Sequence, residues 1–386
     1  MNKSYFLSQP HQPFFLLGLI NAIVAMLIFA LGYTGHIGLN IDEVTFHVYS
    51  LVFLVFTNLF IGFLFTTFPR FNQTDVVQKN YYTNLFYLNI ISSILFFAAS
   101  WLSHFWIVIA MLLVFVSQLL FVRKLQNIYN SSAVVDKTDS FWILTANYFG
   151  LFANILFILS VIYFSSLQQS AISIAFYLYL ILTAVSVTQR MVPFFSNSLI
   201  QKNHPFMKII LVSFIVLVVT NVANFTIGSI AVDLFLAFYI FGEILRWKLH
   251  PFNSPAIIWI LHLAVFWLPV AFLFSAISLI AAMMMHTTFY FLGIHLLALG
   301  FLTTLLIGFA TRVTLGHSNQ IPHADKITVY IFYFTQIVVL FRALYSVNIS
   351  FGWGLGFLFD LAVIAWILMI LVWSIKYIRF IIFKNI

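Results

Sequence analysis

The sequence predicts an all-α fold: a polytopic membrane helical bundle of twelve transmembrane helices. Three observations carry that expectation. Of the 386 residues only 7% are charged and 63% are hydrophobic, with a mean hydropathy of +1.08. Apolar runs recur at the length of a spanning helix, about 20 residues. The basic residues fall at alternate breaks between those runs. A soluble protein carries roughly 25% charged residues, so this composition excludes a soluble enzyme, a nucleic-acid binder and a disordered chain.

The first run, 14–34, follows Lys3. It is longer than the apolar core of a secretion signal and lacks a small-x-small cleavage site, so it reads as a retained span. The second, 45–67, stops before Arg70, and the third, 81–101, begins after Lys79. Only the break at Ser103 separates it from 104–122, which ends at Arg123 and Lys124. The longest polar stretch, Arg123 to Ser140, reads as a loop before 141–165. A short break near Ser166 precedes 170–190, which ends at Arg190. The run 206–224 is parted at Asn224 from 226–246, which closes on Arg246 and Lys248. The last four spans are 255–278, 287–311, 327–347 and 353–375. The chain is expected to form a single integral-membrane domain over 1–386, and no internal repeat is visible.

The distribution of positive charge tests the count independently, because cytoplasmic loops collect Lys and Arg. With the N-terminus inside, the inner segments hold Lys3; Arg70 and Lys79; Arg123, Lys124 and Lys137; Arg190, Lys202 and Lys208; Arg246 and Lys248; Arg312 and Lys326; Lys376, Arg379 and Lys384. These are 16 of the 17 basic residues, and the outer loops hold none. The remaining one, Arg342, lies inside the eleventh span. Twelve spans with both termini cytoplasmic follow.

Ionisable groups within spans are costly and face the bundle interior as a rule. Near the outer side are His47, Asp233, His295, Arg342 and Asp360, with His262 nearer the inner side. Arg342 and Asp360, at similar depth on consecutive spans, read as a salt bridge or as a site where Arg342 faces an anionic group. Glu243 and Arg246 read as a surface pair. There are no cysteines, which removes disulfides, thiolate catalysis and Cys-held metals. Any metal falls to His, Met, Tyr or carboxylate, and imidazole serves both haem and copper. A histidine that only hydrogen-bonds between helices is the competing reading. His36, His104 and His286 lie at outer loops or span ends. His11, His204, His250, His317 and His323 lie on the inner side, and all eight read first as interfacial histidines. Trp101, Trp142, Trp247 and Trp353 fall near span ends, where aromatic belts form. Gly352, Gly354 and Gly356 read as a close-packing feature.

Four segments resemble the NnrS family of bacterial membrane proteins. Thr188-Gln189-Arg190-Met191-Val192-Pro193-Phe194-Phe195-Ser196-Asn197 looks like its G-G-R-V-x-P-F-F-T-R/N segment. The stretch from His295 through Arg312 to His317 looks like its H-x-L-x-x-G…T-R-x-x-L-G-H segment. Leu261-His262 with Trp267-Leu268-Pro269, preceded by Arg246-Trp247 and Pro255, looks like its L-H…W-L-P helix. Gly62 to Pro69 looks like its G-F-L-L-T-A-V-P, and Pro13-Phe14-Phe15 is a weaker match to R-P-F-F. The matches are collinear, while 81–165 and 326–386 carry no motif. The chain departs from the family at three places. His47-Val48-Tyr49-Ser50 stands where the family has H-x-H-E, Thr188-Gln189 replaces G-G, and Arg70-Phe71 replaces the tryptophan after V-P.

The resemblance implies a protein of the bacterial inner (cytoplasmic) membrane that contains haem, of b type, with copper as a further candidate. It implies a link to nitric oxide metabolism or to protection against nitrosative stress. Nitric oxide or another small diatomic ligand is then the expected partner besides membrane lipid, and nucleic acid is not. His47, His262 and His295 match family histidines, and Arg190, Pro193, Phe194, Arg312 and His317 match its inner-side motifs. On this reading His47, His295, His262 and Arg342 hold cofactor, with Tyr49 as a substitute metal ligand. The residues alone also admit a twelve-span secondary transporter working through Asp233, Arg342 and Asp360, or a non-catalytic subunit of a respiratory complex. A haem–copper oxidase core is excluded, since its adjacent His-His pair and H-P-E-V-Y segment are absent.

Overall fold

In the computed structural model, residues 5–383 are described, and all their regular structure is helical. Lys3 and Lys384, two of the expected inner basic residues, lie outside them. Twelve helices follow in order: α1 His11–Tyr33, α2 Glu43–Asn72, α3 Lys79–Leu102, α4 His104–Asn130, α5 Thr138–Ile162, α6 Ser165–Phe195, α7 Phe206–Val222, α8 Thr226–Arg246, α9 Ala256–Met285, α10 Leu292–His317, α11 Lys326–Phe351 and α12 Phe357–Ile382. Eleven are long and apolar enough to cross a membrane, which makes this a multi-pass membrane protein. The exception, α7, has 17 residues.

The three short breaks are real, and each has a local cause. Ser103 is extended (φ −169°, ψ 159°) and parts α3 from α4. Asn224 takes φ 53°, in the left-handed region that Asn tolerates better than most residues. The break expected near Ser166 falls slightly earlier, at Tyr163 and Phe164. Two span starts shift. The tenth helix begins at Leu292 rather than 287, because His286, Tyr290 and Phe291 all have positive φ. The twelfth begins at Phe357 rather than 353. Gly352 and Gly354 have φ of 61° and 70°, and a Cβ on either, or on Gly356, would meet nothing within 4 Å. These glycines turn a loop, and the expected close packing is not there.

Three helices differ from the rest. α2, α6 and α10 each contain a π-helical stretch, at Ser50–Phe56, Ile174–Ile181 and Leu296–Thr303. They also have the largest buried share of their apolar windows, 83%, 89% and 72%, against 33–61% for the other candidate spans. Widened turns of this kind are rare and concentrate at functional sites. Threonine hydroxyls help close them. Thr57, Thr303 and Thr304 donate five residues back, to Val52, Ala298 and Leu299, whereas Thr66 and Thr311 in ordinary turns donate four back. Leu59-Phe60-Ile61-Gly62-Phe63 and Leu305-Leu306-Ile307-Gly308-Phe309 follow the π stretches of α2 and α10. The feature returns at every fourth helix, a recurrence that composition does not reveal.

By packing, the chain forms two compact units. Unit 1 is Met1–Thr183 with His317–Asn319 and Ser374–Ile386; unit 2 is Ala184–Gly316 with Gln320–Trp373. The boundary at 183/184 lies inside the uninterrupted apolar run of α6, where composition marks nothing.

Candidate functional site

In unit 1, Asp42 caps α2 by accepting from the Thr45 amide (2.8 Å) and hydroxyl (2.9 Å). Gln168 at the start of α6 donates to Asp42 (3.0 Å) and Thr45 (2.6 Å). This fixes the first turns of α2, where His47 sits half-buried with its ring 4.1 Å from that of Phe29 on α1. Tyr49, two residues on, is fully buried. Its hydroxyl donates to Asn154 Oδ1 (3.1 Å) and approaches the Met111 carbonyl (3.4 Å). Asn154 Nδ2 in turn donates to Gln118 Oε1 at 2.9 Å. The Tyr179 hydroxyl, on the π stretch of α6, meets Thr57 Oγ1 at 2.8 Å. The buried phenol that stands in the place of the family's second histidine is thus engaged with an amide network.

Unit 2 builds a second polar cluster where α6, α8 and α9 approach. After Pro193, α6 ends with Asn197 at φ 52°, and Ser198 Oγ donates to the Trp247 carbonyl at 2.7 Å. Asn203 Nδ2 donates to Glu243 at 2.6 Å. Glu243 also accepts from Arg246 (2.6 Å) and from Trp247 Nε1 (3.0 Å) and is 6% exposed. The expected surface pair is therefore half of a buried acceptor hub, and Trp247 is buried within it rather than facing lipid.

His262 of α9 is fully buried against that loop, its Nε2 2.7 Å from Ser196 Oγ. The Ser196 hydroxyl donates to the Val192 carbonyl at 2.8 Å. With that proton on the Val192 carbonyl, the contact is satisfied by the His262 tautomer that carries its hydrogen on Nε2. Nδ1 then bears the lone pair, and it has no hydrogen-bond partner. His295 shows the opposite tautomer. Its Nδ1 lies 2.9 Å from the Phe291 carbonyl, which can only accept, so the lone pair is on Nε2. A carbonyl holding one ring nitrogen while the other keeps its lone pair is the way metal-bound histidines are oriented.

Arg312 lies with its guanidinium 4.0 Å from the centre of the Phe195 ring, next to exposed Phe194 and half-buried Pro193. Arg190 is half-buried one turn before Pro193. Arg342 donates to Ser346 Oγ (2.5 Å) and to the Tyr290 carbonyl (3.3 Å), and lies over the rings of Tyr290 and Tyr345. Asp360 is exposed in the first turn of α12, where a carboxylate favours the helix dipole. Asp233 on α8 is buried with both carboxyl oxygens lacking a hydrogen-bond partner, and Ser275 of α9 lies near it short of hydrogen-bond geometry.

Among the described residues no three His, Asp or Glu side chains gather into a metal-binding group. Of the expected ligands, His47 and Tyr49 lie in unit 1 and His262 and His295 in unit 2. One contact lay outside the sequence reading. His11 and His317, taken there as separate interfacial residues, have ring centroids 5.0 Å apart in unit 1.

No curated protein matches the chain. Among protein families, the one described as NnrS protein matches residues 5–384, essentially the full length. With the motifs collinear along twelve helices and the family match spanning residues 5–384, the chain belongs to the NnrS family.

Proposed function

We propose that this protein is a haem-binding protein of the bacterial cytoplasmic membrane that acts in nitric oxide metabolism or in protection from nitrosative stress. The single observation that carries this reading is the family match over residues 5–384. The donor set fits haem. His262 has a buried Nδ1 with no hydrogen-bond partner, and His295, with Nδ1 on the Phe291 carbonyl, carries its lone pair on Nε2. His47, half-buried beside Phe29, is the third imidazole of the motif set. When bound, haem would supply an iron centre able to take a diatomic ligand. What this chain's residues do is narrower. Ser196 and the Phe291 carbonyl fix two imidazole tautomers, and the apolar spans exclude water. Arg342, held over two tyrosines, is a cation that would face an anionic substituent of the group. Copper belongs to the same reading as a second metal, and the inner basic residues argue for a cytoplasmic N-terminus.

An absorption spectrum of the purified, dithionite-reduced protein tests the reading. Expected are a Soret band and an α-band that shift when nitric oxide is added under anaerobic conditions. A colourless, folded preparation from haem-replete cells would overturn it. That result would favour transport, for which buried, unpartnered Asp233 is the one specific support.

A further inference from the structure

Asp233 is a buried carboxyl that the proposed haem chemistry does not use. It lies about two turns into α8 and is 1% exposed. Neither of its carboxyl oxygens has a hydrogen-bond partner. Among the described residues no charge acts on it. The other ionisable groups of the helices around it lie elsewhere. Lys208 is in the first turn of α7, His262 in the second turn of α9, and Glu243 and Arg246 in the last turn of α8. His286 is exposed beyond the end of α9, and His295 on α10 is turned to the Phe291 carbonyl. An ionised carboxylate in that setting would be a buried charge with neither a cation nor a donor, which is very costly. A proton kept on the group removes that cost.

The polar groups around Asp233 lie to one side of it. Ser229, one turn earlier on the same buried face, donates to Asn221 Oδ1 at 2.8 Å, with Thr220 Oγ1 at 3.0 Å. Both partners belong to the end of α7, and Ala223, Asn224 and Phe225 of the turn beyond are exposed. In the other direction the buried face of α8 is Leu236, Ala237 and Ile240 before Glu243 is reached. From α9, Ser275 stands beside the carboxyl. Its side chain is pressed against Gly293 of α10, where a Cβ would come within 2.6 Å of the Ser275 Oγ. We propose that Asp233 is a proton-binding site, a neutral carboxylic acid whose proton exchanges with water at the α7–α8 turn through Ser229. The step is a plain transfer. The Ser229 hydroxyl takes a proton from water and passes its own to the carboxylate, and the reverse path returns it. Ser275 is placed to donate to the carboxylate while the proton is away. The ligand is a proton rather than a metal ion, because calcium or magnesium asks for about six or more oxygens and one carboxyl with one hydroxyl stands here. The site uses none of His47, His262 and His295 and does not depend on haem.

The test treats the full-length protein, in detergent at neutral pH, with the apolar reagent dicyclohexylcarbodiimide. A protonated carboxyl gives the reagent its proton and adds to its central carbon, and rearrangement leaves a stable N-acylurea with no leaving group. Mass spectrometry should find that adduct on Asp233 and none on exposed Asp75. Infrared spectra should show a carboxylic-acid carbonyl band that shifts in heavy water and is lost in Asp233→Asn. Ser229→Ala should slow that shift several-fold, and Ser229→Thr should restore it. An Asp233 without adduct, or a band that survives Asp233→Asn, overturns the proton site. Exchange as fast in Ser229→Ala as in the wild type overturns the route. Sodium ions that protect Asp233 from the reagent would make it a metal-cation site and overturn the proposal as well. Should Asp233→Asn not fold, the wild type carries the test, since labelling of Asp233 should itself remove the band. Haem bands are recorded on the same samples. Haem present with Asp233 unlabelled sinks this site alone, and a labelled Asp233 without haem sinks the haem reading alone.

Discussion

α2 in unit 1 and the α10 region in unit 2 begin from the same device and finish it differently. Both place a histidine just before a widened π stretch, close that stretch with threonine hydroxyls, and continue into Ile-Gly-Phe. Around α2 the polar groups are phenols and amides joined in a chain, Tyr49 to Asn154 to Gln118, with Tyr179 on Thr57. Around α10 the chain is shorter. Trp267 Nε1 donates to Gln336 at 2.7 Å, and Gln336 reaches Thr304 at 3.3 Å. Unsatisfied buried groups remain in both units, Gln118 Nε2 and His11 Nδ1 in unit 1 and His262 Nδ1 and the Asp233 carboxyl in unit 2, but only in unit 2 do they fall on a family-motif histidine and a buried carboxyl. A local helix defect thus sets only where a polar group can sit, and its neighbours decide whether that group is structural or left open to a ligand. The two ends of this comparison are Tyr49, satisfied, and His262, open.

The largest effect should come from filling the close approaches at the π stretches of α6 and α10. A Cβ on Gly300 would stand 2.6 Å from the Trp267 ring, and one on Gly150 would stand 2.7 Å from the Tyr179 ring. Both rings are pinned by hydrogen bonds, so neither can move aside freely. Gly300→Ala and Gly150→Ala should each cost about 1–3 kcal/mol, read as a lowered thermal midpoint in detergent. A variant that keeps the wild-type midpoint would show that its half is packed more loosely than the other.

Breaking the two polar chains comes next. Asn154→Leu strands Gln118 Oε1 and leaves the Tyr49 hydroxyl only its long bond to the Met111 carbonyl, whereas Gln336→Leu strands only Trp267 Nε1. Each stranded buried group costs about 1–3 kcal/mol, so Asn154→Leu should lower the midpoint more. The reverse order would mean that unit 2 depends on its short chain more than unit 1 does on its long one. The smallest effect is expected for Tyr49→Phe. It removes one intramembrane hydrogen bond, worth about 0.6 kcal/mol on average, and should leave any metal content unchanged. Loss of metal in that variant would place Tyr49 among the ligands and erase the contrast with His262.

Much of the fold was legible because lipid leaves few options. Runs of apolar residues bounded at Ser103, Asn224 and the basic clusters mark all twelve helices as spans, and eleven of them are long enough, while α7, with 17 residues, falls short. The π stretches were not legible, since a widened turn slips the register without changing composition, as Ser50–Phe56 illustrates. The site was legible in part. His262 and His295 stand out as intramembrane imidazoles, but their tautomers depend on Ser196 and on a backbone carbonyl. Glu243 was misread as exposed because its burial comes from Asn203 and Trp247, which reach it through tertiary packing. His11 carried no signal, because its neighbour lies at the far end of the chain.

The central claim is that imidazoles of this chain, His262 and His295 foremost, hold haem. The most direct measurement is haem per chain together with the reduced-minus-oxidised spectrum in wild type, His262→Ala, His295→Ala and His47→Ala, at matched folded yield. The account predicts haem in the wild type, and bands lost or shifted in at least one of the His262 and His295 variants. Full haem content with an unshifted spectrum in all three variants would contradict it.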